Sequence, residues 1–310
     1  MTDRPPMVVL EGLTRRFRDL VAVDSLTLTV GRGELFGLVG PDGAGKTTTL
    51  RMLAGVLRPS AGDARLDGVS VAREPERVKH SIAYMSQRFG LYADLTVAEN
   101  LEFYAGLYRV PRSALGARLE RLYHFSALGA FQKRLAGQLS GGMKQKLALS
   151  CCLVHEPVIL LLDEPTFGVD PISRRDLWLI VHERVANGTT VVVSTSYLDE
   201  AERFDRLVML HHGRRIALDT ALALKNAMAS AVLAVPVDRV REARAVAERV
   251  PGVRRAAVFG DRLHLSVDPG SGDGARVAGA LREAGFVVGD VRRIVPTLED
   301  VFIERIAGAA

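Results

Sequence analysis

Gly40-Pro-Asp-Gly-Ala-Gly-Lys-Thr47 directly follows the apolar run Leu35-Phe-Gly-Leu-Val39 and opens Thr47–Leu57, where apolar residues recur at helical spacing. The order strand, glycine-rich loop, helix gives this spacing a physical meaning. Glycines let the backbone wrap around phosphate and aim its N–H groups inward, and the helix N-terminus adds a favourable field for an anion. Lys46 is expected at the β- and γ-phosphates, and the Thr47 hydroxyl at Mg2+. The expected nucleotide contacts on the loop are Gly40, Pro41, Asp42, Gly43, Ala44, Gly45, Lys46, Thr47 and Thr48. ATP and Mg2+ are the cofactors this implies.

Working outward, Val158-Ile-Leu-Leu-Leu-Asp-Glu164 is a hydrophobic strand that ends in two acids. An acid at the C-terminal end of such a strand, in a fold with a phosphate loop, holds Mg2+ directly or through water. Asp163 takes that role. Glu164 is then placed to accept a proton from an attacking water. An isolated Asp-Glu reads as a helix cap or a solvated turn, but the apolar run before it and Pro165-Thr166 after it argue against that.

The rest of the chain fits around these two strands. Met7–Leu10 and the alternating Leu26–Val30 read as strands, residues 88–156 are mostly helical in pattern, and Thr190–Val193 is another short buried strand. The expected fold class is α/β: a P-loop core with an antiparallel β subdomain and a helical insertion. Past about Met228 the texture changes. Strand Val232–Val237, helix Arg239–Val250, hairpin Val253–Phe259 with Leu263–Val267 around Gly260-Asp261, helix Ala275–Ala284 and strand Val287–Ile294 spell β-α-β-β-α-β. That order predicts a small ferredoxin-like α+β unit. The domains are therefore placed at 1–228 and 229–310, with Pro269–Gly274 a loop in the second.

Composition narrows the function. Of the 41 basic residues six are Lys, and no block of like charges occurs, so the net charge of +5 marks no nucleic-acid surface. The excess of Arg fits a GC-rich genome. The adjacent Cys151 and Cys152 cannot easily meet disulfide geometry and read as buried thiols of a reducing cytoplasm. No Cys/His spacing suits zinc, and His211-His212 reads as a turn between strands. Met1–Pro6 opens no signal peptide, and no run of 18 apolar residues is present to span a bilayer. A membrane function would need other chains.

Leu139-Ser-Gly-Gly-Met-Lys-Gln-Lys-Leu147, shortly before the Asp163-Glu164 strand, resembles the signature motif of ABC ATPases. Gln87 is similar to that family's Q-loop, Gly168-Val-Asp170-Pro171 to its D-loop, and Phe17 to the aromatic residue that stacks on adenine, with Val23 alongside. The resemblance spans residues 7 to about 220. It implies catalytic roles for Glu164, Gln87 and Ser196, with Thr47, Gln87 and Asp163 at the metal. It also implies that Leu139, Ser140, Gly141, Gly142 and Gln145 contact ATP held by a partner. Ser140 and the N–H groups of Gly141 and Gly142 open a helix and form a second anion site. The helical insertion keeps this site from the chain's own phosphate loop. In the family, two ATPase domains pair head-to-tail, each signature closing over the other's nucleotide. The partners implied are transmembrane permease subunits and a second ABC ATPase domain, with the chain peripheral on the cytoplasmic face of a bacterial inner membrane. Phe89–Asn100 resembles the permease-facing segment of drug and antibiotic exporters, and Pro296–Phe302 resembles the ending of their ATPase subunits.

Two positions depart from the family. Ser196 stands where a switch histidine contacts the γ-phosphate, and its shorter side chain carries no cation. Asp42 replaces the usual Asn, and its side chain is expected to point away from the phosphates. Both changes resemble the first ATPase half of tandem exporters with two unlike cassettes. A heterodimer, in which this chain lends its signature to a more competent partner site, is favoured over a homodimer. Two rivals stay open: a slowly hydrolysing or silent gating subunit, and a soluble non-transport ABC ATPase. Export rather than import rests on resemblance alone.

Overall fold

The computed structural model describes residues 5–88, 90–268 and 274–309. Phe89 and residues 269–273, on which two of the expectations above partly fall, lie outside them, as do residues 1–4. The chain divides into two compact units, Met1–Leu218 and Asp219–Ala310.

In the first unit, β1 (Val8–Phe17) and β2 (Leu20–Val30) form an antiparallel pair. The end of β2 alternates strictly, with Leu26, Leu28 and Val30 inside, which fixes one face toward the core. Next come β3 (Leu35–Val39), α1 (Lys46–Leu53), β4 (Ala61–Leu66), β5 (Val69–Ser70), α2 (Pro75–Lys79) and β6 (Ile82–Met85). Helix α1 stops earlier than the periodicity predicts, because Gly55 adopts φ +66° and turns the chain. The helical insertion consists of α3 (Val97–Leu107), α4 (Arg112–Ser126) and α5 (Gly141–Leu153). Then follow β7 (Ile159–Asp163), α6 (Pro171–Ala186), β8 (Thr190–Thr195), β9 (Arg206–His211) and β10 (Arg214–Asp219), with His212-Gly213 turning between the last two.

These strands make two sheets. The antiparallel one runs β2-β1-β4-β5, and the larger one runs β10-β9-β3-β8-β7-β6. From β9 to β6 the larger sheet is parallel, and its central strands β3, β7 and β8 are buried along their whole length. Strands covered on both faces read as continuous apolar runs, which is why they were legible. One core joins the sheets around α1, with Phe36, Leu38, Leu50 and Leu161 inside. Cys151 and Cys152 are free and buried in α5, and burial pushes both thiols up. Among the described residues no helix is long and apolar enough to cross a membrane.

The second unit holds α7 (Ala221–Asn226), β11 (Ala231–Pro236), α8 (Val240–Ala247), β12 (Val253–Phe259), β13 (Arg262–Val267), α9 (Gly274–Glu283), β14 (Arg292–Ile294) and α10 (Leu298–Ala309). Its sheet order is β12-β13-β11-β14, antiparallel throughout. The strand predicted over Val287–Ile294 is broken. Val288 bridges Val237, the chain kinks where Gly289 N–H bonds the Pro236 carbonyl at 2.9 Å, and pairing resumes only at Arg292. A Cβ at Gly289 would sit 3.0 Å from Pro236 Cβ, a tight fit that glycine avoids. Helix α10 is tied to the sheet by a buried pair, His264 Nδ1 to Asp300 Oδ1 at 3.0 Å.

Candidate nucleotide site

The phosphate loop leaves β3 and ends in α1, whose N-cap is Gly45 at φ +99°. A Cβ there would lie 2.4 Å from the Ala22 carbonyl, so both the conformation and the packing exclude a side chain. Gly43, at φ +78°, has open space where its Cβ would be. The loop borders a cavity of about 590 Å³, roomy enough for a nucleotide, lined by Asp42 to Thr48 and by Gln87, Glu164 and Ser196.

Lys46 is buried, and its ammonium is fully engaged. It donates to the Gly40 carbonyl at 2.6 Å, the Pro41 carbonyl at 3.1 Å and Ser196 Oγ at 3.1 Å. It also lies 3.2 Å from Glu164 Oε1. Glu164 in turn accepts from Ser196 Oγ at 2.7 Å and from the Ser196 N–H at 3.1 Å. Its backbone sits at φ +50°, a region that a non-glycine residue occupies only when its surroundings hold it there. Asp42 turns its Oδ1 to within 3.4 Å of the Ser196 hydroxyl and lines the cavity, so its charge stays at the site.

Asp163 closes β7 and is buried. Thr47 Oγ1 donates to its Oδ1 at 2.9 Å, Ser194 Oγ to the same oxygen at 2.7 Å, and the Tyr84 hydroxyl to Oδ2 at 3.1 Å. A hydroxyl, a carboxylate and the nearby Gln87 amide form an all-oxygen donor set. That set fits Mg2+, which prefers oxygen donors, is commonly held through one or two carboxylates, and completes its shell with phosphate and water.

The adenine side differs from the expectation. Phe17 lines the cavity, with the Arg15 guanidinium 4.5 Å over its ring. Val23 does not line it: this side chain is 1% exposed and packs behind the loop, its Cγ2 3.3 Å from where a Gly45 Cβ would be. Leu20, Val21 and Ala22 face the cavity instead. Phe167 and His212 also line it, and neither follows a motif that could have marked it.

The signature residues lie elsewhere. Ser140 caps α5, its Oγ accepting from the Met143 N–H at 3.3 Å, and none of Leu139, Ser140, Gly141 and Gly142 borders the phosphate-loop cavity. Gln145 lines a separate groove, which also reaches Gln87. Gly142 packs against α6, where an added Cβ would fall 2.1 Å from Ser173 Oγ. Asp170 caps that helix, accepting from the N–H groups of Ile172 at 3.1 Å and Ser173 at 2.9 Å. Hydrogen bonds from Ser173 hold this carboxyl below its usual range. One chain thus carries a complete phosphate loop and a signature helix whose first residues lie outside that loop's cavity.

The family described as ABC transporter matches residues 23–167. YbhF of Escherichia coli strain K12, a probable multidrug ABC transporter ATP-binding protein, is 42% identical over 308 residues, covering 98% of this chain and 52% of that one. The chain therefore spans about half the length of this relative. The daunorubicin resistance ATP-binding protein DrrA2 of Streptomyces coeruleorubidus is 36% identical over 303 residues, covering 94% of this chain and 92% of that one. Among solved structures, a dimeric post-hydrolysis state of the ATP-binding cassette MJ0796 bound to ADP and Pi superposes with a TM-score of 0.62 at 26% identity, over 69% of this chain and 98% of that chain. With the phosphate loop, the paired acids and the outlying signature helix in place, the chain belongs to the ABC transporter ATP-binding proteins.

Proposed function

We propose that this chain binds ATP with Mg2+ and hydrolyses it to power export of a small molecule through transmembrane permease subunits. The reading is carried by one observation: Lys46, Glu164 and Ser196 converge on a single cavity, while Ser140–Gly142 lies outside it. A site with one wall missing calls for a second cassette to close it. Lys46 turns from Glu164 to the β- and γ-phosphates, and Glu164, released, accepts the proton of the attacking water. Thr47, Asp163 and Gln87 hold the metal, whose charge offsets that of the phosphates. Phe17 stacks on the adenine. Leu139, Ser140, Gly141, Gly142 and Gln145 grip the nucleotide of the partner, with Asp170 at the seam.

Ser196 favours an asymmetric pair. Replacing a switch histidine by a shorter neutral group costs on the order of 10²-fold in rate where that group acts on the transition state. The chain would then serve a partner's site better than its own. Residues 1–228 form the cassette and 229–310 an accessory domain, the whole peripheral on the cytoplasmic face of the membrane. A drug-like substrate follows from what YbhF and DrrA2 are named for.

The test is ATP-dependent association of the purified chain, alone and with a second cassette, measured by multi-angle light scattering. Association with Mg-ATP that vanishes in Lys46→Ala supports the reading, and no association under any of these conditions overturns it. Full turnover by the chain alone, abolished by Glu164→Gln, would count against asymmetry.

A further inference from the structure

Asp163 receives three hydroxyl hydrogen bonds, and the roles assigned above use only Thr47. Strand pairing explains the other two donors. In the parallel register, Ser194 on β8 stands opposite Asp163, and Tyr84 on β6 stands opposite Leu161 on the other side of β7. Ser194 Oγ donates to Asp163 Oδ1 at 2.7 Å and accepts from the Glu164 N–H at 3.0 Å. The Tyr84 hydroxyl donates to Oδ2 at 3.1 Å. Ser194 is fully buried and Asp163 nearly so, which shields the bond between them from bulk water.

An ionised carboxylate accepts only, and its direction is set by whichever donors surround it. When the Thr47 hydroxyl turns toward a metal, Asp163 loses one of its three donors. Tyr84 and Ser194 then hold the carboxylate from opposite strands, one on each oxygen. A phenol is unionised at neutral pH, so the Tyr84 hydroxyl is available as a donor to this carboxylate.

We propose that Tyr84 and Ser194 are positioning residues that aim Asp163 at Mg2+, an inference that rests on the metal role given to Asp163 above. Ser194 does more than Tyr84, because the same hydroxyl also accepts from the Glu164 N–H, which the Ser194 carbonyl accepts as well. Partners of this kind orient a metal-binding carboxylate, and losing one commonly costs tenfold or more in metal affinity.

The experiment measures ATP affinity of the full chain by calorimetry across a Mg2+ series and in EDTA, with Mn2+ binding followed by electron paramagnetic resonance. Tyr84→Phe keeps the ring and is expected to raise the Mg2+ concentration for half-maximal tightening about tenfold, with ATP affinity in EDTA unchanged. Ser194→Ala is expected to do the same or more. Asp163→Asn separates the two layers of the argument. If it abolishes the Mg2+ effect while Tyr84→Phe and Ser194→Ala behave like wild type, the positioning role is wrong and the metal assignment stands. Should Asp163→Asn itself leave the Mg2+ dependence intact, the metal assignment fails first. A loss of ATP affinity in EDTA equal to the loss in Mg2+ would make Tyr84 merely structural and would also overturn the proposal.

Discussion

Lys46 Nζ lies 3.2 Å from Glu164 Oε1, with both side chains buried. The cation proposed to grip phosphate and the base proposed to serve water neutralise each other across the cavity. In the proposed mechanism, binding a triphosphate separates them, so that nucleotide entry and the release of the base are one event.

Removing one partner of a buried pair leaves the other charge uncompensated, at about 3 kcal/mol. Lys46→Ala is therefore expected to lose ATP binding and to lower stability by that order in urea unfolding. The double variant Lys46→Ala with Glu164→Gln should regain most of the stability and none of the binding. A double variant as unstable as the single one would show that the pair is not the source.

Ser196 shares the cavity with Asp42 and Lys46, and its side chain is only partly buried, so a larger group has space. Ser196→His is expected to raise single-turnover phosphate release at this site by roughly 10²-fold. Unchanged release would place the limit elsewhere.

Gly141 and Gly142 separate by packing. No atom lies within 4 Å of a Cβ at Gly141, whereas one at Gly142 meets Ser173 Cβ at 2.4 Å. Gly142→Ala is expected to cost roughly 1–3 kcal/mol by overpacking, and Gly141→Ala to stay within about 1 kcal/mol of wild type. Adding Ser173→Gly should recover part of the Gly142→Ala loss, read from melting temperatures.

On the adenine side, Phe17 and Val23 are expected to behave differently. Phe17→Ala should weaken ATP binding by at least about 1 kcal/mol, the low end for base stacking, without loss of stability. Val23→Ala removes two buried methyl groups and should cost about 1.5 kcal/mol of stability with a smaller effect on binding.

In the second unit, burial acts to raise the Asp300 carboxyl, but hydrogen bonds from His264 and Thr297 outweigh it and hold the group below its ordinary value. A carboxyl lowered on folding contributes stability above its unfolded pKa of about 3.9. That contribution is lost as pH falls through the lower folded value. Wild type and Asp300→Asn should thus differ most in urea unfolding above about pH 5 and converge in acid. A gap that stays constant with pH would assign the difference to packing.

The phosphate loop, the buried strands on either side of it and the two acids were legible because each is a contiguous stretch with its own local physics. Apolar runs mark strands covered on both faces, and glycine spacing marks a backbone that must turn tightly. The order of elements in the second unit could be read in the same way, although the break at Gly289 could not, since it depends on the approach of Pro236. Val23, expected beside Phe17 by resemblance alone, lies in the core behind the loop, while its neighbours Leu20, Val21 and Ala22 line the cavity, a placement that only the packing of β2 decides.

By itself, then, the sequence determined which residues could do chemistry: a lysine in a glycine loop, two acids at a strand end, a serine-capped helix. Tertiary structure alone decided their partners. The parallel sheet sets β6, β7 and β8 side by side although long helices separate them in the chain. Only that order places Tyr84 and Ser194 on Asp163, and Ser196 between Lys46 and Glu164, because hydrogen bonds answer to distance in space and not to distance along the backbone.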